Sequence, residues 1–296
     1  MHRALREQLA NILGTEIRRV SSLAGGCVAE VVRAEGADGQ SVVVKAGGAG
    51  GALDIEGWMV RELAERTALP VPRVLHAASE MLVLAWVDET TVDTGAVVNP
   101  SLGPGDSGNH LADLLVDLYE VVPGSCSFGL ERETLIGPLP LPNPVMESWS
   151  AFFAHHRLMH FARGAHEAGQ LDASTLARCE RLAGDLDGVL MEPDRPSLLH
   201  GDVWSGNVVT GSGRVLAMID PAIFRGDPEC DLAFIALFDT GGPRFFERFH
   251  ERRPIGEGFF ERRMLVYQLY PLLVHAHLFG GGYAAQVADR LTRLGY

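Results

Sequence analysis

The stretch His200-Gly201-Asp202-Val203-Trp204-Ser205-Gly206-Asn207, followed by Asp220 within Ile219-Asp220-Pro221, decides how this chain is read. Asn207-Val208-Val209-Thr210 spells a short apolar strand, Gly211-Ser212-Gly213 is turn chemistry, and Arg214 to Ile219 is a returning strand. Such a hairpin places Asn207 and Asp220 side by side at its open end, with Asp202 just upstream and aimed at the same point. One carboxylate beside two hard oxygen ligands is the arrangement of a phosphoryl-transfer site. Asp202 is then the base for an attacking hydroxyl, and Asn207 and Asp220 are ligands of Mg²⁺. Trp204 stands between them in an expected loop, where its indole offers a stacking face to a sugar; core packing is the alternative.

Phosphates also need positive charge, and Lys45 is the only lysine among 25 Lys and Arg side chains. In a chain that otherwise uses arginine, one ammonium at the end of the strand Ser41–Lys45 suits a place that requires a compact point charge, here the α- and β-phosphates of ATP. Asp38-Gly39 joins this strand to a preceding one, Ala29 to Ala34. The helix expected over Leu53 to Arg66, with its stripe of Ile55, Met59 and Leu63, offers Glu56 to brace Lys45, with Glu62 and Glu65 as the alternatives. Ahead of the hairpin, Gly25 and Gly26, beside Cys27, expose backbone N–H groups suited to phosphate oxygens. The apolar strand Met81 to Val87 reads as a hinge whose backbone at Ala85 and Val87 is expected to hydrogen-bond the adenine edge; a simple core strand is the alternative.

These placements predict an α+β, two-lobed fold of the protein-kinase type. Residues 1–88 form an antiparallel sheet plus one helix, and residues 89–296 form a mainly helical lobe that holds the catalytic loop, metal site and substrate cleft. The segment 94–108 reads as loop, and Leu111, Leu114, Leu115 and Leu118 stripe a helix from near His110. Pro138 to Pro144 is a proline-rich excursion, and 147–168 reads as helix. In Gly226-Asp227-Pro228-Glu229-Cys230-Asp231, Asp231 opens a helix to Asp239 and is expected to brace the catalytic loop. Asp227 and Glu229 read as a solvated turn, or as groups facing a cationic substrate. His200 is expected to be a buried hydrogen-bonding brace.

Composition limits the partners. With 47% hydrophobic and 21% charged residues over 296 positions, the chain is an ordinary globular one. Its net charge of −13 argues against nucleic acid or an anionic membrane as partner. No apolar run reaches the roughly 18 residues of a membrane span, and the N-terminus lacks a signal-like apolar region, so a cytoplasmic protein is expected. Cys27, Cys126, Cys179 and Cys230 are scattered without metal or disulfide spacing.

Taken together, Gly25-Gly26-Cys27, Lys45, Glu56, Phe128-Gly129-Leu130, Ile136-Gly137, Pro142-Asn143, His200 to Asn207 and Ile219-Asp220-Pro221-Ala222 make the chain resemble the fructosamine kinases, or ketosamine-3-kinases. His-Gly-Asp and the Asn are shared with aminoglycoside and choline kinases, whereas the Trp-Ser-Gly wording and the Phe-Gly…Ile-Gly stretch belong to the ketosamine branch. Leu118-Tyr119 and Ala85-Trp86 depart from the usual Leu-His and Glu-Tyr of that branch. The resemblance implies ATP and Mg²⁺ as cofactors and phosphorylation of O3 of a ketosamine, free or protein-bound, made by amine glycation. It also implies a deglycating outcome and a monomer or homodimer. Another small-molecule kinase, of aminoglycoside or choline type, and a non-catalytic nucleotide-binding module are the alternatives.

Overall fold

The computed structural model describes residues 2–23, 30–47, 52–90, 107–121 and 126–296. Gly25, Gly26 and Cys27 lie outside the described residues, as does most of the loop expected over 94–108. Helix α1 (His2–Leu13) leads into strands β1 (Ile17–Ser22), β2 (Glu30–Gly36) and β3 (Ser41–Ala46). After helix α2 (Leu53–Arg66) come β4 (Val74–Ala78) and β5 (Met81–Ala85). The five strands form one antiparallel sheet in the order β1-β2-β3-β5-β4.

Alternation along β3 decides what each face of this sheet does. Val42 and Val44 point to one side, where they are closed over by Leu5 and Leu9 of α1 together with Val32, Ala34 and Val83. Lys45 therefore points to the other side, toward α2. That helix packs closely on the sheet because position 57 is glycine: a Cβ there would come within 2.5 Å of Ala77 Cβ. The close approach carries the neighbouring Glu56 over the end of β3. Helix α1 adds to the one helix expected in this lobe; it gives the sheet's outer face an apolar cover.

The rest of the chain is mainly helical. Helix α3 (Ser107–Glu120) begins three residues before the expected start and buries Leu111, Leu115 and Leu118. The proline-rich excursion is a small hairpin, β6 (Thr134–Ile136) and β7 (Leu139–Leu141), turning at Gly137. Then come α4 (Trp149–Phe153), a π-helical turn (Ala154–Leu158), α5 (Met159–Glu167), α6 (Ala173–Asp185), and the short pair β8 (Ser197–Leu199) and β11 (Phe224–Gly226). Between those two strands lies the hairpin β9 (Val208–Gly211) and β10 (Arg214–Met218). Helices α7 (Glu229–Phe238), α8 (Phe245–Arg252), α9 (Met264–Phe279) and α10 (Gly282–Leu294) close the chain.

A large continuous core joins these helices to α2 through Met59 and Leu63. Arg157, in the π-helical turn, is fully buried, and among the described residues no carboxylate pairs with it. Its guanidinium lies 4.0 Å from the Phe224 ring centroid and 4.7 Å from that of Phe152. It donates to the Pro142 carbonyl (2.9 Å) and to Asn143 Oδ1 (2.6 Å). Asn143 in turn donates to Thr134 Oγ1 (2.7 Å), so this network anchors the β6–β7 hairpin. Among the described residues no helix is long and apolar enough to cross a membrane.

Candidate active site

The candidate catalytic loop hangs from a buried carboxylate. Asp231, fully enclosed in the first turn of α7, accepts the backbone N–H of His200 on Oδ2 (3.0 Å) and that of Gly201 on Oδ1 (2.9 Å), and also the Tyr119 hydroxyl (3.0 Å). Burial pushes the Asp231 pKa up to about 6, and these three donors restrain the rise. Asp231 thus has the bracing role expected of it. The tyrosine at position 119, one of the departures from the resembled pattern, supplies the third donor. His200 is wholly buried, its pKa pushed down to about 4 by burial; its Nδ1 accepts the N–H of Asp202 at 3.4 Å.

From this anchor the loop turns through a 3₁₀ turn, Ser205–Asn207, into β9. The Asn207 Nδ2 donates both to the Asp202 carbonyl (2.9 Å) and to Asp202 Oδ2 (2.8 Å). With its amide nitrogen committed to two acceptors, Asn207 presents its side-chain oxygen to any cation. The Ile219 N–H donates to the Asn207 carbonyl (3.0 Å), extending the β9–β10 ladder by one rung and bringing Asp220 beside Asn207. Asp220 holds φ at +53°, in the left-handed region that side chains other than glycine visit sparingly, and asparagine and aspartate most readily among them.

Lys45 completes the cluster. Its Nζ lies 2.6 Å from Asp220 Oδ1 and 2.7 Å from Glu56 Oε1, so the end of β3, helix α2 and the β10 exit meet at one ammonium. Burial pulls the Lys45 pKa down, but Asp220 and Glu56 outweigh it and raise the value, so the charge is held. Asp202 is only partly exposed. Burial raises its pKa to about 8, the Asn207 hydrogen bond opposes the rise, and the charges of Asp220 and Asp231 add to it. A cation at Asn207 and Asp220 would favour its ionised form.

Lys45, Glu56, Asp202, Trp204, Asn207 and Asp220 all line one cavity of about 480 Å³. Trp204 is 40% exposed, so it is not a core residue, and its ring lies over Gly206, where a Cβ would sit 2.3 Å from the indole. Ala85 and Val87 do not line this cavity. The Ala85 N–H is spent on the Arg73 carbonyl (2.9 Å) and the Trp86 N–H on that of Ser41 (3.1 Å). The expected hinge therefore lacks the Ala85 donor, because the sheet has already used it.

The acidic turn is also corrected. Asp227 is buried and accepts the Tyr267 hydroxyl (2.7 Å) and the Glu229 N–H (2.9 Å), and burial pushes its pKa up to about 7. Glu229 pairs with Arg263 through two bonds of 2.6 Å. Both acids face inward, so neither is a solvated turn residue or a substrate contact. Unanticipated lining comes from Leu135 and Pro138 of the β6–β7 hairpin and from Phe238, His275, Phe279 and Tyr283. Phe238 carries no sequence signal, whereas His275, Phe279 and Tyr283 stand four residues apart and close on the run Phe279-Gly280-Gly281-Gly282-Tyr283.

The sequence matches the family model described as fructosamine kinase over residues 1–294. The chain belongs to the fructosamine kinase family. It is 33% identical over 238 residues to a probable ketoamine kinase of Synechocystis sp., covering 78% of this chain and 74% of that one. A crystal structure of a candidate fructosamine-3-kinase from Thermobifida fusca superposes with a TM-score of 0.83 at 28% identity, covering 98% of each chain. An aminoglycoside phosphotransferase in ternary complex with ADP and hygromycin B shares the fold, with a TM-score of 0.66 at 19% identity, over 99% of this chain and 97% of that one. Membership in the fructosamine kinase family makes this protein a phosphotransferase with the two-lobed α+β fold of the protein-kinase kind.

Proposed function

We propose that this protein transfers the γ-phosphoryl group of ATP to O3 of a ketosamine such as a ribulosamine or fructosamine. The observation that carries the reading is the convergence of Asp202, Asn207, Asp220, Lys45 and Glu56, drawn from both lobes, on one cavity. The division at residues 88 and 89 belongs to the same reading, with Lys45 and Glu56 on the N-terminal side and the other three on the C-terminal side.

The donor set suits Mg²⁺. Asn207 and Asp220 supply hard oxygens, and among the described residues no group of three or more His, Cys, Asp or Glu gathers to bind a metal unaided. The remaining ligands would be water and phosphate, as this cation prefers. When bound, Mg²⁺ supplies charge neutralisation at the phosphates. Lys45, held by Glu56, anchors the α- and β-phosphates, with Gly25 and Gly26 assigned to the remaining phosphate oxygens and the backbone at Val87 to the adenine edge. Asp202, oriented by Asn207, takes the proton of the attacking hydroxyl as the new O–P bond forms and the bond to ADP breaks. A 3-phosphorylated ketosamine then sheds its amine, which makes the activity a deglycating one.

Trp204 offers the acceptor sugar a face beside Asp202. An aminoglycoside acceptor, a polycation, is disfavoured because the acids among the described lining residues are Glu56, Asp202 and Asp220, all at the phosphoryl end. The test is a panel of ribulosamine, fructosamine, aminoglycoside and choline with Mg²⁺-ATP, with the phosphorylated position read by ³¹P–¹H correlation. Turnover of ketosamines at O3 is expected. Turnover confined to choline or aminoglycoside would overturn the reading.

A further inference from the structure

The acceptor end of the cavity is a contiguous wall of rings. Trp204 stands 6.4 Å from Phe238, Phe238 stands 5.2 Å from His275, and His275 stands 5.7 Å from Phe279 and 4.9 Å from Tyr283 (ring centroids). The last contact depends on the turn between α9 and α10. Gly280 and Gly281 adopt φ +60° with ψ −139° and −133°, a conformation open almost only to glycine, and so return α10 against α9 and set Tyr283 beside His275. Phe279 remains 51% exposed at the mouth. Leu135, Pro138 and Leu278 complete an apolar lining.

Polar groups are scarce along this wall. Among the described residues Lys45 is the only Lys or Arg side chain that lines the cavity, and it is engaged by Glu56 and Asp220. The His275 Nδ1 is bonded to the Pro271 carbonyl (2.8 Å), which as an acceptor requires the proton on Nδ1 and leaves Nε2 to accept from a substrate N–H or O–H. Among the described residues that line it, a carboxylate on the acceptor would find no cation here, and a second ammonium would find no acid beyond the phosphoryl end.

We infer that this wall receives the amine substituent of the acceptor and that the protein selects ketosamines whose amine carries an uncharged, apolar and preferably aromatic group. The inference rests on the ketosamine reading given above. A ring inserted among Trp204, Phe238, Phe279 and Tyr283 gains area burial and edge or offset contacts with its neighbours. A glycated free amino acid would instead bring its carboxylate to the apolar end and leave it unpaired.

The test uses the full chain with Mg²⁺-ATP and four ribulosamines differing only in the amine: benzylamine, methylamine, glycine and 1,2-diaminoethane. The expected kcat/KM for the benzyl compound exceeds that for the glycine compound by at least about tenfold, with the diamine compound also below benzyl. Phe279→Ala and Tyr283→Ala are each expected to lower the benzyl-to-methyl ratio of kcat/KM several-fold. Equal or better turnover of the glycine compound, or an unaltered ratio in both variants, overturns the inference. If no ribulosamine turns over, the ketosamine reading itself fails. Calorimetric titration of the benzyl and glycine compounds into the unmodified protein then judges the wall alone, and equal affinity overturns it.

Discussion

Asp231→Ala tests whether the catalytic loop is held by one buried carboxylate. The substitution leaves the N–H groups of His200 and Gly201 without an acceptor in a site closed to water, along with the Tyr119 hydroxyl. Each orphaned backbone donor costs about 2 kcal/mol, so a loss of about 4 kcal/mol is expected near pH 5. The loss should shrink as pH rises. Asp231 has its folded pKa raised to about 6 by burial, so the stability tied to it is fully present below the ordinary carboxylate value of 3.8 and is lost as pH rises through 6. The gap of roughly two pK units corresponds to about 3 kcal/mol in all, of which about 1.5 kcal/mol falls between pH 5 and pH 8. Alanine has no such dependence, so the penalty should fall to about 2.5 kcal/mol at pH 8. Urea unfolding of both proteins at the two pH values measures this, since ΔG is read by linear extrapolation. A penalty below about 1 kcal/mol, or one that grows with pH, refutes the account of the brace.

Three other outcomes are expected. Lys45→Arg keeps the charge but replaces an ammonium seated between two carboxylates at 2.6 and 2.7 Å by a wider planar group. It should lower kcat/KM for ATP by about a hundredfold with little change in Tm, and near-normal kinetics would place the phosphate anchor elsewhere. Asp202→Asn retains an acceptor for Asn207 and should cut kcat by about 10² to 10⁴ while nucleotide affinity by calorimetry stays within about twofold; unchanged turnover removes Asp202 as the base. Because Asp202 must be ionised to accept a proton and its pKa is raised to about 8 by burial, transfer should decline as pH falls. Raising Mg²⁺ should move the inflection to lower pH, and a profile flat from pH 5 to pH 9 contradicts the assignment.

That Asp202, Asn207 and Asp220 come together was legible in the sequence because their geometry is local. Asn207 and Asp220 flank one hairpin whose turn residues are unmistakable, and Asp202 lies a few residues upstream on the same loop. Lys45 and Glu56 were legible because strand and helix periods say which way each side chain points once the lobe is assembled. The one-lysine composition singled out the position. Asp231 could be read as a brace from its place at a helix start, although what it holds is the loop after β8 and not its own helix.

Other features depended on packing at a distance. Whether Asp227 and Glu229 faced water or the interior turned on Tyr267 and Arg263, more than 30 residues away in sequence. The hinge donor at Ala85 was lost to Arg73 on the neighbouring segment, a pairing that strand periodicity does not encode. Helix α1 could be placed only once the sheet showed an apolar face in need of cover. The acceptor wall is the extreme case. Its rings come from positions 204, 238, 275, 279 and 283, on the loop after β8, α7, α9 and α10; His275, Phe279 and Tyr283 stand four apart, but that spacing runs across the break between α9 and α10, and Trp204 and Phe238 join them only in the fold. The chain alone determined which groups gather at the candidate phosphoryl-transfer site, because short-range backbone geometry places them. Only the tertiary structure decided what the acceptor must look like, because that surface exists only where helices distant in sequence pack together.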